Sequence, residues 1–408
     1  MLIGVTALSF WPPTHDIVYL ALIVMACTAV GVFVPDLLWQ RVYRRSLGPA
    51  RPGNWPRTLT KLVGLLGSLG FLAFFYWLFP EYYNGKVFYG NAWRALGIIL
   101  PLWGALAIPY IYFVDRRLKD PQDSLWQLGR CLLLQWRGLS PPSIGQHLLG
   151  WIVKGFFLPL MFTYFCRDLD RIMHYDFGRM HAFISWYDWA YDFLYFMDVS
   201  LVSMTYLASL KLTDTQIRSS EPTLFGWFIA LLCYEPFWST FSAHYVRYDN
   251  DFGWFRWMQN VPWLYVPWGC AIVALLAIYV WATISFGARF SNLTHRGIIT
   301  NGPYRYSKHP AYLSKNLSWW MISMPFMVSE SLLDSLRRCL ALLLLNAIYY
   351  LRAKTEERHL SLDPAYVRYA HWIDTHGLLR FLNGIPGFRL LTHPWTPLKS
   401  DLSPARFD

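Results

Sequence analysis

Gly302-Pro303-Tyr304-Arg305-Tyr306-Ser307-Lys308-His309-Pro310-Ala311-Tyr312 and Arg352-Ala353-Lys354-Thr355-Glu356-Glu357 are two polar runs with two apolar segments between them, about 311–328 and 339–351. A short polar turn around 329–338 joins the apolar segments. This is the pattern of a helical hairpin in a membrane, with both polar runs returned to one side. A helix of about thirteen residues rises only ~20 Å, so the second limb must begin within the turn.

Working outward, the whole chain fits such a setting. Of its 408 residues 55% are hydrophobic, 19% aromatic and only 15% charged, where soluble domains carry about 25% charged residues. Uncharged runs near twenty residues can each cross ~30 Å of hydrocarbon. The expectation is an all-α, polytopic integral membrane bundle of about nine transmembrane helices, with a C-terminal helical hairpin and a cytoplasmic pocket. The crossings fall near 17–38, 62–79, 94–114, 148–166, 183–210, 223–243, 263–286, 311–328 and 339–351. No basic stretch precedes the first, which reads as a retained helix. The polar stretch 115–147 is expected along the membrane surface. The tail from Ser361, with Tyr366, Tyr369, Trp372, Phe388 and Arg389, reads as an interfacial cap. Two domains are expected: an N-terminal membrane body, 1–260, and a C-terminal core with its tail, 261–408.

Charge gives the orientation. With the N-terminus outside, inner loops and tail hold 25 of the 36 Lys and Arg, and outer loops hold nine, counting Arg94 at the outer end of its crossing. That is the positive-inside asymmetry, and it puts both polar runs of the hairpin in the cytoplasm. The net charge of +11 is thus a matter of topology and anionic lipid, and nucleic acid is not an expected partner. The six cysteines are scattered without a Cys-x-x-Cys and read as packing residues. His174, Asp176 and His181 do not amount to a metal site. Gly64, Gly67 and Gly70 recur at helical spacing without a preceding strand or a Gly-x-Gly-x-x-Gly, so they read as a close-packing helix face and not as a phosphate loop.

On one helix, Arg352, Glu356 and His359 are spaced i, i+4 and i+7 and share a face. Glu357 lies about 100° round the axis. Alone, this is a solvated helix end whose Arg–Glu pair contributes a few tenths of a kcal/mol. The Tyr- and His-rich loop on the same membrane side changes that, because the two runs should meet. Asp198 and Glu235 are further candidates for a polar substrate pocket. Asp188 and Asp192 read as interfacial residues or partners of basic groups.

The run Gly302, Tyr304 to Tyr306, Lys308 to Pro310 and Tyr312, then Arg352, Glu356 and Glu357, then Tyr366 and Tyr369, resembles the membrane methyltransferases of the isoprenylcysteine carboxyl methyltransferase type. The resemblance covers about the last 130 residues. It implies S-adenosyl-L-methionine as cofactor and a lipid or lipid-linked acceptor. Tyr304, Tyr306, His309, Pro310, Tyr312, Asn316, Glu356 and His359 are then the cofactor-binding candidates. Rings attract a sulfonium cation, and a glutamate can accept from the ribose or the amino group. Arg352, Glu356 and Glu357 are the catalytic candidates. Arg352 can hold a carboxylate acceptor, or Glu357 or His359 can take a proton from another acceptor. After Tyr312 the chain departs from the family with Leu313-Ser314-Lys315-Asn316. Lys315 there either snorkels or meets substrate. Two other readings stand beside this one: an NADPH-dependent membrane reductase of the sterol C14-reductase type, and a non-catalytic membrane protein that keeps the fold.

Overall fold

The computed structural model describes residues 15–80, 88–249, 253–328, 330–382, 385 and 387. Phe388, Arg389 and the rest of the expected cap beyond them lie outside the described residues. The chain is mostly helical and divides into two compact units, one of residues 1–174, 199–220 and 287–297 and one of residues 175–198, 221–286 and 298–408.

The first unit is built on α1 (Ile17–Leu38), α2 (Trp55–Leu78), α3 (Gly90–Asp115), α4 (Ser124–Leu132) and α5 (Pro141–Met173). Side chains fix where three of them start. Asp16 accepts from the Val18 amide at 2.9 Å, Asn54 from Arg57 at 2.9 Å and Asp123 from Trp126 at 3.2 Å, each satisfying an amide that the first turn leaves open. α1, α2, α3, α5 and the later segment Pro262–Arg289 are long and apolar enough to cross a membrane. They coincide with the first four expected crossings and the seventh.

The stretch expected to lie along the surface contains α4, which packs on α2 through glycine. A Cβ on Gly64 would stand 2.2 Å from the Leu125 carbonyl oxygen, and one on Gly129 would stand 1.9 Å from that of Thr60. Gly67 meets only the Leu132 side chain, and Gly70 meets nothing within 4 Å. The packing face is therefore Gly64 and Gly67, with Gly129 opposite. Gly129→Ala is expected to lower stability by about 1–3 kcal/mol, because backbone oxygen cannot move aside as a side chain can. Gly70→Ala is expected to be neutral or to stabilise by up to about 1 kcal/mol. Thermal unfolding of the two detergent-solubilised variants tests this, and equal midpoints would count against the contact.

Lys61, one turn before Gly64, is also inside this packing. Its side chain is 3% exposed, with Nζ 2.9 Å from Asp115 Oδ1 and 3.2 Å from Asp123 Oδ1. Arg57 reaches Asp115 at 2.6 Å, and Lys211 pairs with Asp123. Arg57 and Lys61, which the expected crossing 62–79 leaves in the loop before it, thus belong to α2, held by carboxylates that the sequence shows far away. The unit closes with a two-stranded antiparallel ladder, β1 (Ser219–Ser220) and β2 (Thr294–His295), in the register Ser219 to His295 and Ser220 to Thr294.

α6 (Phe183–Leu207) gives its residues through Asp198 to the second unit and the remainder to the first. The second unit continues with α7 (Leu224–Leu231), α8 (Phe237–His244), α9 (Trp254–Met258), α10 (Pro262–Phe286), α11 (Pro310–Ser323), α12 (Leu332–Leu360) and α13 (Pro364–His376). The sixth expected crossing, 223–243, is two helices of eight residues each. Pro236, which has no amide hydrogen, stands at the head of the second. Glu235 beside it accepts from the Ser239 amide at 3.3 Å. The eighth is a 14-residue helix ended by Met324 in the left-handed region at φ 43°. The ninth lies inside the 29-residue α12. α12 begins in the turn, as the length arithmetic required, where the Ser331 hydroxyl accepts from the Asp334 amide at 3.1 Å. It then runs unbroken past its apolar part, so Arg352, Glu356 and Glu357 ride on a rigid element.

Two apolar clusters hold this unit. Tyr187, Trp254, Ile272, Leu276 and Met324 tie α6, α9 and α10 to the end of α11. Ala282, Tyr304, Tyr366, Tyr369 and Ala370 tie α10 and α13 to the Gly302–Arg305 turn.

Candidate active site

The loop of the first polar run is set by its backbone. Gly302 has φ +58°, a conformation disfavoured for residues with a Cβ, and a Cβ there would lie 2.3 Å from Ser285 Oγ. Pro310 opens α11, at the position where its missing amide hydrogen costs nothing. From the other side, the Tyr369 hydroxyl donates to the carbonyls of Tyr304 at 2.7 Å and Ser307 at 3.3 Å. Tyr369 of α13 therefore clamps the loop, and Tyr366 packs beside it. Tyr304 is buried with them, edge-on to Phe286 at 5.0 Å. Tyr306 is 59% exposed, so among the cofactor candidates it is the one the fold turns outward.

The two polar runs meet. Tyr312 donates its hydroxyl to Glu356 Oε1, and Arg352 Nε lies 3.3 Å from the same oxygen. His309 stacks on Tyr312 with centroids 5.6 Å apart and planes 4° from parallel. Its Nε2 stands 3.4 Å from Glu357 Oε1 and its Nδ1 3.9 Å from Glu356 Oε2. One histidine thus bridges the adjacent glutamates of α12. Arg352 is itself sandwiched by rings, its guanidinium carbon 5.1 Å from the Tyr312 centroid and 5.3 Å from that of Tyr234. Its Nη2 donates to the Tyr234 hydroxyl at 3.3 Å.

The two glutamates have different surroundings. The Glu356 side chain is 28% exposed and that of Glu357 is 2%. Glu357 is held by Lys354 at 2.7 Å and Lys308 at 3.2 Å as well as by His309, and Lys308 also reaches Asp374 at 3.0 Å. Burial alone would raise its pKa. The His309 hydrogen bond and the charges of His309, Lys308 and Lys354 outweigh burial and bring it down to about 2. Glu357 is a fixed negative charge.

His359 shares the helical face expected of it, but its carboxylate neighbour is Glu221 Oε2 at 4.0 Å. Arg358 also reaches Glu221, at 3.2 Å. Asn316 bridges helices: its Nδ2 donates to the Tyr312 carbonyl at 2.7 Å and its Oδ1 accepts from Asn346 at 2.6 Å. Asn346 in turn accepts from the Trp320 indole at 2.7 Å.

Lys315 does not reach for an interface. Its ammonium lies 5.1 Å from the Tyr279 ring, 5.4 Å from Trp319 and 6.0 Å from Tyr349. Tyr349 is shared with Arg352, whose guanidinium carbon is also 6.0 Å from that ring. Asp198 is buried beside this cage and accepts from the Tyr279 hydroxyl at 2.6 Å. Asp192 accepts from Tyr175 at 2.7 Å.

Tyr234, Glu221 and Asn346 were not found by sequence reasoning. Asn346 alone carried a signal, a single amide within an apolar run.

These contacts bring the loop, Arg352 and both glutamates to one place, and a comparison with known families bears on the same stretch. Residues 266–362 match the model of the isoprenylcysteine carboxyl methyltransferase (ICMT) family. No curated protein and no solved structure matches the chain. The ICMT match starts within α10 and ends just after α12. It takes in Lys315 and every cofactor and catalytic candidate named above. Tyr234, Glu221, Asp198 and Tyr369 lie outside the ICMT segment yet contact it: Tyr234 meets Arg352, Glu221 meets Arg358 and His359, Asp198 meets Tyr279, and Tyr369 meets the loop.

Proposed function

We propose that the chain is an integral membrane methyltransferase that takes S-adenosyl-L-methionine and methylates a lipid or lipid-linked acceptor at the cytoplasmic face. One coincidence carries this reading. The ICMT match falls on the stretch where a part-exposed carboxylate, Glu356, is fixed among the rings of Tyr312 and His309 and the guanidinium of Arg352. Methyl transfer to a bound acceptor is chiefly a problem of positioning, and the cluster is built to position.

The donor set suits a sulfonium compound with a polar amino-acid and ribose end. Glu356 has the exposure to accept hydrogen bonds from the ribose or the amino group. S-adenosylmethionine supplies the activated methyl group. Arg352, engaged with Glu356 and Tyr234, acts as a positioning residue. Glu357, held ionised, keeps His309 in place and is a poor proton acceptor near neutral pH. Lys315, in its cage of rings beside Asp198, is the group where the acceptor is distinguished from those of other family members. An N-terminus outside the membrane and residues 261–408 as the catalytic core belong to this reading; the first rests on the charge count and the second on the stretch matched.

Calorimetry with S-adenosylhomocysteine and NADPH on detergent-purified protein tests it. S-adenosylhomocysteine is expected to bind, and Glu356→Ala to weaken it at least tenfold, the effect of losing a charge-assisted hydrogen bond. No binding of S-adenosylhomocysteine would sink the proposal. Binding of NADPH alone would point to the reductase.

A further inference from the structure

We propose that the first unit holds a second ligand site, specific for a phosphoryl group, formed by Lys154 and Arg296. Neither cation meets a carboxylate among the described residues. Arg296 is 2% exposed. Its Nη1 donates to the carbonyls of Thr205 at 3.0 Å and Phe290 at 3.1 Å, whereas its Nε and Nη2 are buried and meet no acceptor among the described residues. A buried guanidinium normally meets an anion, since its desolvation is costly. Lys154 is half-buried on α5, a helix long and apolar enough to cross a membrane. Its ammonium lies 5.0 Å from the Trp151 ring, and the charge of Arg296 acts on it. Ionisable groups in such a segment are rare unless they have a use.

The two cations face the same place. Gln146, Gly150, Lys154 and Phe157 are spaced along one face of α5. Gln146 accepts from the Ser220 amide at 2.8 Å. A Cβ on Gly150 would lie 3.5 Å from Ser220 Oγ. Phe157 stacks on Tyr206 at 5.4 Å, 8° from parallel. Lys154 therefore sits between Ser220 and Tyr206. On the ladder, Ser220 is paired with Thr294, so their side chains share a face, and Arg296 lies two residues beyond Thr294. The hydroxyls of Ser220 and Thr294 are likewise buried without a hydrogen-bond partner among the described residues.

Two cations and two hydroxyls offer more donors than a carboxylate has oxygens to use, and the local charge matches a phosphate monoester. Arginine with lysine is a common combination for such a group. Lys154 and Thr294 are the half-buried members of the four, and Lys154, whose charge the ligand meets first, is the entrance. The phosphoryl group can come from a lipid headgroup or from a free phosphate, and the test separates the two.

The full-length protein in detergent is titrated with phosphatidic acid, with diacylglycerol of the same chains, and with inorganic phosphate, and thermal unfolding is followed. The midpoint is expected to rise with phosphatidic acid and not with diacylglycerol. A rise with inorganic phosphate as well supports the site and assigns it to a soluble source. Lys154→Gln is expected to reduce the apparent affinity at least tenfold. Thr294→Val, which keeps both cations should an Arg296 variant fail to fold, is expected to reduce it a few-fold. The proposal is overturned if neither phosphoryl compound shifts the midpoint, or if Lys154→Gln responds as the wild type does.

Discussion

Glu357→Ala is expected to cost about 3 kcal/mol of stability and to abolish cofactor binding. The side chain is 2% exposed and meets three basic groups. Removing one partner from a buried ionic cluster leaves the others uncompensated, at about 3–5 kcal/mol. The lower figure applies because Lys308 keeps Asp374 at 3.0 Å. Binding is lost as well because His309, released from Glu357, no longer holds its stacking position on Tyr312. The same carboxylate predicts a pH dependence. Its folded pKa of about 2 lies below the ordinary 4.5, so its contribution is complete above pH 4.5 and is lost as pH falls toward 2. The difference corresponds to about 3 kcal/mol. Thermal midpoints of wild type and Glu357→Ala should therefore converge between pH 4.5 and pH 2. Parallel curves across that range would show that Glu357 is not the group responsible.

How much of this was open to reading follows from what each contact needs. The hairpin was legible because the length of an apolar run and the height of a helix are local quantities. The meeting of Tyr312 with Glu356 followed from both runs returning to one side. Lys61 was misread as a loop charge because its partners, Asp115 and Asp123, lie more than fifty residues on, and nothing local distinguishes a paired lysine from a solvated one. The break before Pro236 was legible in principle, since proline at that point opposes a continuous crossing, yet the apolar run on either side outweighed it. Tyr234 shows the limit. One tyrosine among 26 becomes significant only once Arg352 lies 5.3 Å from its ring.

Arg352 gives the second large effect and separates geometry from charge. Arg352→Ala leaves Glu356 with Tyr312 but without its cation, and removes the guanidinium from between the rings of Tyr312 and Tyr234. A loss of about 3–5 kcal/mol in stability is expected, and the catalytic rate should fall at least a hundredfold, about 2.7 kcal/mol. Arg352→Lys is the more informative variant. It keeps the charge but not the planar fork that reaches Glu356 through Nε and Tyr234 through Nη2 at once, nor the flat cation that lies against two rings. If position is what matters, Arg352→Lys should recover much of the stability lost in Arg352→Ala while S-adenosylhomocysteine affinity and rate stay low. Full recovery of all three would mean that the site needs only a positive charge beside Glu356, and the positioning role would be wrong. The rings argue for the first outcome. Tyr349 lies 6.0 Å from both Lys315 and the Arg352 guanidinium. A second flexible ammonium on that wall can move toward Asp198, taking Glu356 out of register with His309, and a guanidinium held by two hydrogen-bond partners cannot.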